Sequence, residues 1–221
     1  IGVSNGVLEM LTHPQQKVVY NGVNLPNITI TKSDLIEKFN LSGKRPIIMA
    51  IGRFVDAKGF DILIDAWQGI DADLLIIGDG PLKDECSTQI EKLNLTTNVH
   101  LTGFIDNANS LITAADFIVI SSRREGFNYV MAEALFQSIP VISTDVPAPN
   151  EILPKDYLVP VADRKALHTL LKHCLDNPDI LTSDYQTVFD WAQQTLSLDG
   201  MVSNTEKVFH GLISSRLNNK N

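Results

Sequence analysis

The chain has 221 residues, 44% of them hydrophobic, enough to build the core of one large domain or two small ones. Its formal net charge is −8, from 26 acidic residues against 18 Lys and Arg, which argues against a nucleic-acid partner because phosphate backbones select basic faces. The apolar runs are too short to span a bilayer, no secretory pattern opens the chain, and Cys86 and Cys174 lie too far apart to suggest a disulfide framework or a zinc site. A reducing, intracellular setting is expected from that cysteine usage. The chain begins with Ile1 and not Met, so a piece of a longer protein is expected.

Taken in chain order, residues 13–25 read as a short strand and turn. From about residue 44 the pattern alternates. Buried strands are expected over 46–52, 73–78, 98–103, 116–121 and 139–144, with a small one over 156–160. Helices are expected over 58–70, 81–95, 106–115, 128–138, around 150–153, over 163–176, and from about 182 to 217. Short Ile- and Val-rich runs alternating with helices indicate a parallel sheet covered on both faces. Right-handed crossovers then give an α/β, doubly wound, Rossmann-like sheet in three layers.

Such sheets bind ligands beyond the carboxyl ends of their strands, so the loops after the strands carry the candidates. The first such loop is GRFVDAKG, 52–59. Gly52 lets backbone approach a ligand, while Arg53 and Lys58 offer two cations, one a fork and one a mobile point charge. Alone, the pair reads equally as an anion site or as solvated surface. After the fourth strand comes SSRREGFN, 121–128, leading into a helix whose first N–H groups form a second anion site. Glu125 stands on that loop and Glu133 on the helix. Carboxylates beside a phosphate site repel it unless they hold hydroxyls, which an ionised carboxylate accepts well. Singly, Glu125 also reads as surface charge and Glu133 as a helix-surface residue.

Together, YNGVN (20–24), GRFVDAKGFD (52–61), LIIGDGP (75–81), VHLTGF (99–104), EGFNYVMAEAL (125–135) and PVISTDVPAPNEIL (140–153) resemble retaining glycosyltransferases of family 4, which have the GT-B fold. The resemblance covers roughly residues 15–215 and matches the nucleotide-sugar-binding C-terminal half. It implies that residues 1–14 are the tail of an N-terminal acceptor domain, that 15–180 form the Rossmann-like donor domain, and that the helices of 181–221 cross back towards the N-terminal domain. Arg53 and Lys58 would neutralise the departing diphosphate, Glu125 would contact the transferred sugar, and Glu133 would bind ribose hydroxyls. Backbone N–H groups of Phe127, Asn128 and Tyr129, after Gly126, would hold phosphate and sugar oxygens. Gly103 and Phe104 would flank the base. The implied reaction moves a hexose from a nucleotide-sugar, with UDP the expected base carrier, to a glycan or glycolipid held by the N-terminal domain. Anomeric configuration would be retained. The fragment alone is expected to be inactive. No cofactor and no metal are expected. A cytoplasmic location follows, with the inner face of the membrane and peripheral membrane association of the whole protein as further options.

The family often has a Gly-rich turn before a Pro-Glu pair in its last loop. Here that loop is VPAPNE, 146–151, in which Pro149 removes a backbone donor, and Glu151, aligned with the family's glutamate, is given no role. Tyr129 is bulkier than the small residues often found there, which would narrow the sugar pocket that the resemblance implies. DAD at 71–73 precedes a strand and reads as a turn, not a D-x-D metal motif. GDGP, 78–81, is not a dinucleotide fingerprint, which disfavours an oxidoreductase. Arg123 and Arg124 read as a flank of the pocket, and His13, His100, His168, His173 and His210 have no expected function. Trp67 and Trp191 read as packing residues. The alternative to an enzyme half is a non-catalytic nucleotide-sugar-binding module or partner subunit.

Overall fold

In the computed structural model, residues 1–9, 16–25 and 30–218 are described, with side chains to residue 213. His13 and the rest of 10–15 lie outside the described residues. Six parallel strands form one sheet: β1 (Ile47–Ile51), β2 (Asp73–Ile77), β3 (Val99–Gly103), β4 (Phe117–Ile120), β5 (Val141–Thr144) and β6 (Leu158–Val159). Their order is β3-β2-β1-β4-β5-β6. This is the expected doubly wound sheet. Strands β2, β4 and β5 are buried along their whole length, as is β1 except for Ile51. That explains their unbroken apolar runs. Edge strand β3 buries only Val99, and its sequence, VHLTG, is correspondingly mixed.

The helices are α1 (Asn5–Glu9), α2 (Lys32–Phe39), α3 (Phe60–Ala66), α4 (Lys83–Lys92), α5 (Tyr129–Phe136), α6 (Pro149–Ile152), α7 (Arg164–Asp176), α8 (Pro178–Asp184), α9 (Gln186–Thr195) and α10 (Leu198–Asn218). Helices α3, α4 and α7 pack together, as do α5, α9 and a 3₁₀ turn over Ala108–Ala114. Right-handed crossovers that run outwards from β1 and then outwards from β4 put these two groups on opposite faces. Among the described residues no helix is long and apolar enough to cross a membrane.

Several elements differ from expectation. Residues 16–25 form no strand; they make isolated bridges, Gly2 to Val18 and Val23 to Ser197, and so clip the start of the chain to the beginning of α10. The expected helix over 58–70 is split at Gly59 into a 3₁₀ turn, Asp56–Lys58, and α3. The helix expected over 106–115 is the 3₁₀ turn instead, while the helices expected from about 182 to 217 are present as the end of α8, α9 and α10. Helix α2 was not expected, yet its start carries a capping box: Thr31 Oγ1 accepts from Asp34 N–H, and Asp34 Oδ2 accepts from Thr31 N–H at 2.8 Å.

The order reverses between β1 and β4, where the loops after these two strands meet. Gly59 has φ +62°, and a Cβ there would lie 2.2 Å from the Ser121 carbonyl oxygen. Ser121 Oγ donates to the Lys58 carbonyl at 2.9 Å, and Arg123 N–H donates to the Ala57 carbonyl at 2.8 Å. Arg123 also forks onto Asp61, at 2.8 and 2.6 Å, a bond that holds the Asp61 carboxyl below its ordinary range. Arg123 therefore staples the two loops together. At the opposite, amino end of the sheet lie Asp71 and Asp73. Arg45 Nε donates to Asp71 at 2.9 Å, while His100 Nε2 stands 3.7 Å from Asp73 Oδ1. The D-x-D spelling is thus far from the loops that carry the candidates.

Gly59→Ala is expected to destabilise the protein by about 2–4 kcal/mol, the sum of a left-handed backbone cost and a backbone clash. Gly69→Ala, at φ +78° with nothing within 4 Å, should cost only about 1 kcal/mol. Urea unfolding of both variants checks the difference.

Candidate donor-binding site

At the junction of β1 and β4, Lys58 Nζ lies 2.5 Å from Glu125 Oε2, both side chains largely shielded from solvent. The Lys58 side chain crosses Gly52, whose added Cβ would stand 3.3 Å from Lys58 Cε, so a small residue at 52 leaves Lys58 its path. Glu125 Oε2 accepts two further bonds, from Asn128 Nδ2 at 3.0 Å and Ser122 Oγ at 3.3 Å. Oε1 accepts none among the described residues. One oxygen is therefore fixed by three donors and the other remains available.

Asn128 makes this arrangement and starts α5 at once. Its backbone sits at φ 63°, ψ 91°, its Oδ1 accepts from Met131 N–H at 2.9 Å, and its Nδ2 goes to Glu125. Asparagine tolerates this backbone region better than most residues, and its amide supplies both a cap acceptor and a donor. Beyond the cap, the N–H groups of Phe127, Asn128, Tyr129 and Val130 make no hydrogen bond among the described residues. They lie at the positive end of α5, which Asn128 ties to Glu125 of the Lys58–Glu125 pair.

A cleft of about 380 Å³ lies at the carboxyl ends of β1 and β2, lined by Gly52, Arg53, Asp79, Phe104, Ile105 and Ala108 among others. Arg53 is exposed and makes no ion pair among the described residues. Phe104 is 72% exposed, an unusual state for a Phe and one suited to stacking on a flat ring. Gly103 is set back: its carbonyl accepts from Gly78 N–H at 2.9 Å, and Gly78 itself lies against the Gly52 carbonyl. Glu133, the fifth residue of α5, is bound apart from Glu125. Its Oε1 accepts from Asn109 Nδ2 at 3.0 Å. Burial raises its pKa, and the Asn109 bond partly opposes that.

Gly126 and Phe127 face another way. The Gly126 carbonyl accepts from Ser4 Oγ at 3.3 Å, and Phe127 is buried between Tyr20 and Tyr129. Tyr20 in turn stands edge-on to Trp191 at 5.4 Å, so an aromatic chain runs from α9 to the mouth of the site. Trp67 is fully buried. Glu151 binds the start of the chain, accepting from Gly6 N–H at 2.6 Å and from Asn5 N–H at 2.9 Å. In loop 146–151 the prolines have no N–H, while Val146, Asn150 and Glu151 donate to nearby carbonyls, leaving that of Ala148. Sequence reasoning missed Ser122, Asn109 and the Glu151 anchor. Each depends on a partner distant in sequence or on a side-chain orientation that no spacing displays.

The model of the glycosyl transferases group 1 family matches residues 31–187. The chain belongs to this family. An uncharacterized glycosyltransferase of Methanocaldococcus jannaschii is 34% identical over 161 residues, 72% of this chain and 42% of that protein. An N-acetylgalactosaminyltransferase of Campylobacter jejuni acting on a diphospho-undecaprenol-linked sugar is 34% identical over 131 residues, 58% of this chain and 34% of that protein. The chain thus spans less than half the length of these two relatives. Among solved structures, sucrose-phosphate synthase from Thermosynechococcus elongatus superimposes with a TM-score of 0.82 at 23% identity, over 97% of this chain and 58% of that one. The Anabaena protein HepE in complex with UDP does so at 0.80 and 20%, over 88% and 57%. At these identities the structural likeness shows the fold, which is of the GT-B type.

Glu133→Gln is expected to stabilise the chain at pH 7. A carboxyl whose folded pKa is raised binds more protons folded than unfolded, so its stabilising contribution is present below the ordinary carboxylate range and is lost as pH rises through the raised value. The gain in Tm over wild type should therefore shrink towards zero as pH falls below about 4, which scanning calorimetry at several pH values measures.

Proposed function

We propose that the chain is the donor-binding, C-terminal half of a retaining family 4 glycosyltransferase. The observation that carries this reading is the meeting of Lys58, Glu125 and the unpaired N–H groups at the start of α5 at the sheet's switch point. A nucleotide-sugar fits its chemistry part by part. The diphosphate would take the α5 N–H groups and the cations of Lys58 and Arg53. The base would lie in the cleft against Phe104, the ribose hydroxyls on Glu133, and the sugar hydroxyls on the open oxygen of Glu125. Charge grows on the diphosphate as the bond to the sugar breaks, and cations and N–H groups already in place bind that state better than the ground state. No protein nucleophile and no resident metal are assigned.

Under this reading residues 15–180 are the donor domain, and the segment over 1–14 leads in from an acceptor domain. The helices beyond 181 return towards it. The complete enzyme would transfer a hexose from a UDP-sugar to a glycan or glycolipid, in the cytoplasm or at the inner face of the membrane. Relatives named for lipopolysaccharide core and amylovoran biosynthesis support that class of acceptor. The complex of HepE with UDP supports a uridine carrier. Acceptor groups come from the other domain, so this chain alone should bind donor without turnover. Loop 146–151, with its single unpaired N–H, favours a second reading as a binding module without turnover. The whole protein showing sugar transfer decides between the two.

Calorimetry of the chain with UDP, GDP and ADP tests the donor reading. One nucleotide is expected to bind, and Lys58→Ala should weaken it about tenfold to a hundredfold, the worth of a charge-assisted hydrogen bond. Absence of binding by all three at millimolar concentration would falsify it.

A further inference from the structure

Asn109 stands on the 3₁₀ turn directly after Ala108 of the cleft wall. Its Nδ2 donates to Glu133 Oε1 at 3.0 Å. Gln137 clips the turn to α5, its Nε2 donating to the Asn109 carbonyl at 3.3 Å and to the Glu133 carbonyl at 3.0 Å. The other amide atom, Asn109 Oδ1, is buried and has no hydrogen-bond partner among the described residues.

An orphaned buried acceptor costs free energy, and native proteins carry few. Turning the amide through half a revolution would not relieve it, because Oδ1 would then face a carboxylate. The amide's orientation is thus dictated by ionised Glu133, at the expense of its own oxygen. An apolar residue at 109 would remove this orphan but leave the Glu133 carboxylate without its donor. A local departure from full polar matching beside a cleft is the pattern expected of a functional position.

We propose that Asn109 is a positioning residue for the ribose of the donor, fixing one oxygen of Glu133 so that the other accepts from the ribose hydroxyls. This rests on the nucleotide-sugar reading. Glu133 Oε2 takes no bond among the described residues, and the carboxylate retains lone pairs on both oxygens. A vicinal diol offers two O–H donors to such a carboxylate; a 2′-deoxyribose offers one. The groups facing Glu133 are Asn109 from the turn and Gln137 from its own helix, and no cation or second carboxylate pairs with it among the described residues. Loss of the Asn109 bond removes the one influence that lowers the Glu133 pKa.

The test is calorimetry with UDP and 2′-deoxy-UDP between pH 5 and 8, on wild type, Asn109→Ala, Asn109→Asp, Glu133→Gln and the Asn109→Ala/Glu133→Gln double variant. The ratio of UDP to 2′-deoxy-UDP affinity cancels titration of the phosphate. Asn109→Ala is expected to lower UDP affinity about fivefold to tenfold, leave 2′-deoxy-UDP nearly unchanged, and shift upward the pH at which the ratio develops. In the double variant Asn109→Ala should add nothing to Glu133→Gln. Asn109→Asp should lose the ratio at pH 8 and recover it towards pH 5, where two carboxyls share a proton. Equal weakening of both nucleotides, or an unmoved pH profile with full additivity, would show that Asn109 merely supports the fold, and would overturn the proposal. If wild type binds none of UDP, GDP and ADP, the donor reading fails and the proposal falls with it; binding of another nucleotide but not UDP overturns the uridine form of the proposal alone. Binding by wild type that Asn109→Ala leaves intact overturns the positioning role alone.

Discussion

The close approach of two backbones, Gly59 against the Ser121 carbonyl, sets the rest of the site. It occurs where the strand order reverses, and it is possible because a glycine with positive φ ends the turn before α3. With a side chain there, the loops after β1 and β4 would separate. Lys58 and Glu125 would no longer meet, because each is carried by one of those loops. The bidentate Arg123–Asp61 pair and the Ser121–Lys58 bond lock the same junction from outside the site. A surface ion pair contributes little to stability, but a fork with ideal geometry orients the backbone it spans.

On this junction charge is arranged economically. The protein is acidic overall, yet the α5 terminus, Lys58 and Arg53 concentrate positive potential at one end of the sheet. Two carboxylates stand within that region, and each is held on one oxygen by an asparagine: Glu125 by Asn128, Glu133 by Asn109. This leaves one oxygen of each facing no protein donor among the described residues. Glu133 is also partly desolvated, which disfavours its ionised form and makes it a cost to the folded chain at neutral pH. Sites that bind ligands commonly carry such costs.

Much of this was legible in the sequence, for definable reasons. Strands β1, β2, β4 and β5 were found because buried parallel strands have no polar face to interrupt them, and β3 and β6 because they continue the alternation with helices. Gly52, Arg53, Lys58, Glu125 and Glu133 could be singled out because they follow strand ends, and chain order fixes those ends at one edge of the sheet; of them the structure joins Lys58 to Glu125 directly. Helix boundaries were less well read: Gly59 breaks a periodic pattern that reads as continuous helix, and 108–114 has helical spacing but 3₁₀ hydrogen bonds. Helix α2 was passed over although Thr31 and Asp34 spell its cap. Asn109 was not legible, since an asparagine in a polar run looks like any loop residue until Glu133 is beside it. Nor was the binding of Asn5 and Gly6 by Glu151, which joins residues 145 and 146 positions apart.

The start of the chain is the remaining link. Glu151 fixes Asn5 and Gly6 next to the 146–151 loop, Ser4 touches Gly126, and Tyr20 joins Trp191 to Phe127. The segment proposed to lead in from an acceptor domain therefore rests on the residues proposed to hold the donor. Burial, and then the charge of Glu151, push up the pKa of the Tyr20 phenol. The account is tested most directly by a crystal structure of the chain grown with UDP. It predicts the diphosphate against the N–H groups of residues 127–129 with Lys58 Nζ on a phosphate oxygen, and a ribose hydroxyl on Glu133. A nucleotide bound elsewhere on the molecule, with these groups untouched, would contradict it.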